Sequence, residues 1–236
     1  MIIPLIAEIG LNHFGNEKFL AEYLKVLYKK KIYGVSIQIP QESLMKKNQK
    51  KFLLDEKKIS RFVKNAKKKF KLVGITTSDV SKVNFFENLN IDFFKVTSGM
   101  INNLNLIRKM QTTKIPQIYL STGLISTIKL KEILNKLSLE KILLIHTSFE
   151  KKIDKINLNR INILRENFNL PICYGNHSDH INAIPNSVFF KPYSIFFYVK
   201  MNKKLGYPDN KHAIKFNELD LILNKVKDNI SMANIV

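Results

Sequence analysis

The sequence contains no tryptophan and one cysteine, Cys173, in 236 residues. A single thiol excludes intramolecular disulfides and cysteine-based metal clusters. Glycine and proline are sparse, at eight and seven, and no Pro/Gly/Ser-rich stretch divides the chain, so residues 1–236 read as one domain. Long apolar runs are missing too. The longest, at 194–199 and 141–145, fall far short of the roughly 20 residues a bilayer-crossing helix needs. The N-terminus lacks a basic leader and reaches Glu8 at once, so it reads as a strand and the expected location is cytoplasmic. Acidic residues number 19 against 39 lysines and arginines, a formal charge of +20. Yet arginine occurs only at Arg61, Arg108, Arg160 and Arg165. Readers of nucleic acid favour the guanidinium fork, and these lysines are scattered along the chain, so a nucleic-acid partner is not expected. Polyanion binding through the lysine surface is kept as a third reading.

What is present is alternation. Short apolar runs at 5–9, 34–38, 72–76, 93–96, 117–121, 142–146, 171–174 and 194–199 read as strands. Amphipathic stretches at 17–30, 55–69, 81–88, 103–111, 127–136, 157–167 and 217–228 read as helices. This is the pattern of parallel strands joined by crossover helices, and its size fits an α/β fold of the closed (β/α)8 TIM-barrel type. The seventh connection, 182–187, carries Pro185 and is expected to be short or irregular.

In such a barrel, chemistry gathers where the strands end at their C-terminal side. There the sequence places Glu8, Asn12 and His13; Gln38; Thr76, Thr77 and Ser78; Lys95, Thr97 and Ser98 before Gly99; Ser121 and Thr122 before Gly123; His146, Thr147 and Ser148; and the run Asn176-His-Ser-Asp-His180. Hydroxyls beside glycines on neighbouring strands suggest an oxyanion cradle, with Lys95 as the neutralising cation. Each hydroxyl–glycine pair also reads as ordinary turn chemistry. His177 and His180 with Asp179 are candidate metal ligands or a general base, or else a hydrogen-bonded surface feature. Walker, Gly-x-Gly-x-x-Gly and Gly-x-Ser-x-Gly motifs are absent, which leaves nucleotide-loop and nucleophile-elbow chemistry without support.

The segments Ile6-Ala-Glu-Ile-Gly-Leu-Asn-His-Phe-Gly15, Phe94-Lys-Val-Thr-Ser-Gly-Met-Ile-Asn-Asn103, Leu120-Ser-Thr-Gly123, Tyr174-Gly-Asn-His-Ser-Asp-His180, and Gly206-Tyr-Pro-Asp-Asn-Lys211 with Phe216-Asn-Glu-Leu219 together resemble the sialic acid synthase family. That resemblance implies a barrel condensing phosphoenolpyruvate with an N-acetylated aldose to a nine-carbon 2-keto sugar acid, for surface carbohydrate. It implies a divalent metal, manganese or magnesium, that polarises the sugar aldehyde. By the same resemblance Lys95, Ser98, Ser121 and Ser178 hold phosphoenolpyruvate, Glu8 and Gln38 line the site near acceptor and water, His180 ligates the metal, and Asp209 contacts sugar hydroxyls.

The chain departs from the family pattern in several places. Val35-Ser36-Ile37-Gln38 lacks the lysine of Val-Lys-x-Gln; Thr97-Ser98-Gly99-Met100 lacks a glutamate; and Val199-Lys200-Met201-Asn202 aligns with Glu-x-His-Phe so that Met201 stands at the second metal histidine. The tyrosine of the sixth-strand pattern is gone, and His177 is a candidate replacement for the missing histidine. The sequence also ends before the family's small antifreeze-like domain. These losses keep an alternative open beside the synthase: a catalytically silent barrel acting as a binding or regulatory partner. A membrane partner is not expected, and whether the chain forms a homodimer is left open.

Overall fold

The computed structural model describes residues 3–150 and 153–233. Nine strands run β1 (Leu5–Gly10), β2 (Gly34–Ile39), β3 (Leu72–Thr77), β4 (Phe93–Val96), β5 (Gln117–Ser121), β6 (Ile142–Ser148), β7 (Ile172–Asn176), β8 (Ile195–Lys200) and the two-residue β9 (Ile214–Lys215). Each pairs in parallel with the next, and β1 also pairs with β8, so the first eight close into a barrel. Between them lie α1 (Glu17–Lys29), α2 (Glu56–Lys67), α3 (Val83–Asn88), α4 (Leu104–Gln111), α5 (Thr127–Leu134), α6 (Arg160–Phe168) and α7 (Ala183–Ser187), followed by α8 (Leu219–Met232). The chain therefore folds as a (β/α)8 TIM barrel. Among the described residues no helix is long and apolar enough to cross a membrane.

Local chemistry sets the helix starts. The side chains of Asn16, Asp55, Asn103 and Ser126 accept backbone N–H groups in the first turns of α1, α2, α4 and α5, satisfying donors that have no partner within the helix. The seventh connection is short as expected: α7 has five residues and passes into a 3-10 turn that ends where Lys191 takes φ 48°. Pro185 is the third residue of α7, where its missing N–H is not needed for the helix ladder.

Alternation along the strands divides the apolar residues between two cores. Outward-facing side chains pack against the helices, whereas Ile6, Phe93, Tyr119, Leu143, Ile145, Cys173 and Phe196 fill the barrel interior. The rings of Phe93, Tyr119 and Phe196 meet edge to face at 4.9–5.9 Å. Gly74 makes room for them: a Cβ there would fall 2.1 Å from the Phe93 ring.

Period-two alternation also corrects one alignment. Phe196 faces inward, so Tyr198 and Lys200 do as well, while Val199 and Met201 belong to the outer core. The inward position beyond Tyr198 is thus Lys200, whereas Met201, read from sequence as the counterpart of a ligand histidine, packs in the outer core.

Candidate active site at the barrel mouth

At the C-terminal end of the barrel, Glu8 of β1 and Lys95 of β4 form an ion pair of 2.5 Å, each side chain 3% exposed. The Lys95 ammonium also lies 5.4 and 5.6 Å from the ring centres of Phe196 and Tyr198, a setting in which aromatic faces add to its stabilisation. Lys95 is therefore not a free cation waiting in a cradle. Its charge is held by Glu8, and an incoming anion would compete for it.

Asp209 reaches the same mouth from the 201–213 segment that follows β8. Its backbone N–H donates to Asn12 Oδ1 (3.1 Å), and Asn12 Nδ2 donates to the Val199 carbonyl (2.9 Å). One residue on, Asn210 accepts two hydrogen bonds from Lys200 Nζ, at 2.5 and 3.0 Å. The segment is strapped down at both points. The Asp209 carboxyl comes so close to Gly10 that a Cβ there would lie 2.6 Å from Oδ2, and Gly10 takes φ +58°; both facts favour glycine at this strand end. Asp209 Oδ2 is buried without a hydrogen-bond partner. Burial, then the Glu8 charge, pushes this carboxyl up to about 7, against the pull of the Leu11 N–H and Lys95.

Rings close the remaining space. His177 stacks on His212 at 4.5 Å and an interplanar angle of 29°, and meets Phe149 and Tyr198 edge-on at 4.8 and 5.2 Å. Tyr198 also meets His212 at 4.8 Å. Burial lowers His177 to about 2, with His212 and Lys95 adding to the shift, and lowers His212 to about 4, with Lys95 and Lys200 adding, so the surroundings favour the neutral form of both rings. The Tyr198 hydroxyl is raised well above its usual range by burial and by Glu8 and Asp209.

Several hydroxyls expected to form a cradle make local bonds. Ser98 Oγ accepts the Gly123 N–H at 3.1 Å, and Thr122 Oγ1 donates to the Ile145 carbonyl. Ser121 is buried on the inward face of β5. Ser178 Oγ accepts the His180 N–H at 3.1 Å, and Asn176 Nδ2 donates to the Ser178 carbonyl, so these three residues form one turn at the end of β7. Gln38 is half-buried at the end of β2. Ser36, paired in register with Glu8, has a buried hydroxyl with no partner. The structure thus brings Glu8, Lys95 and Asp209 together, sets Ser98 beside the Ser121 strand end, and holds Ser178 and His180 in their own turn.

Tyr198 and His212 were not picked out by sequence reasoning. Tyr198 could have been found from its spacing of two from Phe196; His212 lies in a segment with no periodic signal. His177, weighed as a replacement ligand, is instead committed to a ring stack.

The implied divalent metal does not fit this donor set. Among the described residues, no three His, Cys, Asp or Glu side chains converge on a point that could hold an ion. Transition-metal ligands must sit about 2.0–2.2 Å from the ion. The expected ligand His180 sits in the turn after β7, its N–H bonded to Ser178 Oγ, His177 is stacked on the ring of His212, and the end of β8 carries the ammonium of Lys200, bonded to Asn210.

The chain resembles proteins of known kind along almost its full length. It is 25% identical over 234 residues to the N,N'-diacetyllegionaminic acid synthase of Campylobacter jejuni, covering 96% of this chain and 70% of that protein. The fold matches N-acetylneuraminic acid synthetase from Leptospira borgpetersenii with a TM-score of 0.90 at 19% identity, over 98% of this chain and 85% of that one. It also matches a truncated 3-deoxy-D-arabino-heptulosonate 7-phosphate synthase from Thermotoga maritima, with a TM-score of 0.76 at 18% identity over 98% and 87% of the two chains. The NeuB family model matches residues 17–234, and the chain belongs to the NeuB family.

Proposed function

We propose that this protein condenses phosphoenolpyruvate with an N-acetylated aldose, forming a carbon–carbon bond and a nine-carbon 2-keto sugar acid with release of phosphate. Its relatives are sialic and legionaminic acid synthase-like proteins of polysaccharide biosynthesis. The observation that carries the reading is the buried Glu8–Lys95 pair at the barrel mouth. A buried lysine paired with a carboxylate binds a dianion through charge-assisted hydrogen bonds once the anion displaces its internal partner. Ser98, Ser121 and Ser178 supply hydroxyls around it, Gln38 and the released Glu8 carboxylate face acceptor and water, and Asp209 meets the sugar from above. His180 contributes a polar rim group.

Release of inorganic phosphate from phosphoenolpyruvate, assayed across a panel of N-acetylated hexoses, tests this. Turnover with at least one sugar is expected; no release with any of them overturns it. The engaged cation and ring-filled mouth favour one other reading, a catalytically silent barrel acting as a binding or regulatory partner. That reading predicts binding of phosphoenolpyruvate without turnover.

A further inference from the structure

We propose that Asp209 is the proton donor to the carbonyl oxygen of the acceptor, in a condensation that this chain carries out without a metal ion. The inference rests on the synthase reading above and assigns the electrophilic role within it.

An aldehyde attacked by an enol carbon develops negative charge on oxygen, which must be met by a metal, a hydrogen-bond donor or an acid. Among the described residues no three His, Cys, Asp or Glu side chains gather to hold a metal, and the end of β8 carries Lys200, a cation bonded to Asn210. What faces the Glu8–Lys95 pair from the strap is a carboxyl whose Oδ2 has no partner and whose Oδ1 lies 3.9 Å from His212 Nε2, itself buried and unpartnered. The groups acting on Asp209 are Glu8 from β1, Lys95 from β4, Tyr198 from β8, Tyr23 from α1, and His212 on its own segment. Burial and Glu8 favour its protonated form, and the strap is fixed by Asn12 and Lys200. The carboxyl is therefore an acid already in position above the cation expected to hold phosphoenolpyruvate.

The step balances. The vinyl electron pair of phosphoenolpyruvate forms the new bond from C3 to the aldehyde carbon. The carbonyl π pair becomes an O–H bond with the Asp209 proton, leaving C2 as an oxocarbenium centre. Water adds to C2, and one of its protons restores the Asp209 carboxyl. The C2–O bond to phosphate then breaks, and the other water proton leaves with inorganic phosphate as the ketone forms.

Two measurements test the proposal. In the first, manganese chloride alone is titrated calorimetrically into the unaltered protein. No saturable one-to-one binding is expected; stoichiometric binding abolished by His180→Ala or His212→Ala overturns the metal-free assignment. In the second, phosphate release is followed with and without a chelator. Release should persist in chelator, should fall as pH is raised through about 7, and should drop by about 10²–10⁴-fold in Asp209→Asn with the KM for phosphoenolpyruvate little changed. Release that requires manganese, or that survives Asp209→Asn at a comparable rate, overturns the proton-donor role while leaving the synthase reading intact. Absence of release from the unaltered protein under every condition overturns the synthase reading and this role with it. The chelator arm uses the unaltered chain alone, so a misfolded variant cannot decide it.

Discussion

Glu8 and Lys95 lie on strands at different positions around the barrel, yet their charged atoms meet at 2.5 Å with both side chains 3% exposed. Removing one partner strands the other charge in a poorly hydrated place. Lys95→Met should therefore destabilise the fold by about 3–5 kcal/mol, whereas Glu8→Gln combined with Lys95→Met should cost clearly less than the two single losses added together. Urea unfolding of the single and double variants measures this; strict additivity would mean that the pair is not coupled.

The barrel interior gives a second prediction. A methyl group at Gly74 would overlap the Phe93 ring, which is wedged between Tyr119 and Phe196. Gly74→Ala should cost about 1–3 kcal/mol through forced repacking. Pairing it with Phe93→Leu should recover part of that loss in the same unfolding assay.

Acid should weaken the fold in a particular window. His13 and His146 are buried and lowered by desolvation to about 4 from the ordinary 6.5. Between those values the unfolded chain binds protons that the folded chain does not, so stability is full above pH 6.5 and falls as pH drops toward 4, by at most about 1.4 kcal/mol per unit for each histidine. Asp209 works in the opposite sense. Its folded carboxyl is raised to about 7 from 3.8, so its contribution declines as pH rises across that interval. His146→Gln should flatten the dependence of Tm on pH between 4.5 and 6.5 (the interval these shifts define), and Asp209→Asn should steepen it; the reverse pattern would contradict these assignments.

The strap over the mouth hangs on Lys200, whose ammonium bonds both oxygens of Asn210. Lys200→Met should speed amide hydrogen exchange across residues 202–213 while leaving the barrel strands protected. Uniform exchange across the whole chain would show that Lys200 supports the barrel itself.

The eight-stranded barrel was legible because strand-length apolar runs alternate with longer amphipathic ones. The register at the end of β8 was not. The run Phe196-Phe-Tyr-Val-Lys-Met201 is buried on both faces, so hydrophobicity does not alternate and a one-residue shift goes unmarked. The sequence reading set Met201 at the position of a ligand histidine, whereas in the structure Met201 packs in the outer core. The grouping of Glu8, Lys95 and Asp209 at one mouth followed from strand ends and family motifs. Their pairing did not, since whether a lysine is free or neutralised depends on which side chains cross the barrel. His212 joined the site through a strap whose path no local periodicity encodes.

The most direct test of the account is a calorimetric titration of phosphoenolpyruvate into the unaltered protein and into Lys95→Met. The account predicts saturable one-to-one binding that is lost, or weakened by about tenfold or more, when the ammonium is removed. Binding of equal strength in both proteins, or none in the unaltered one, would contradict it.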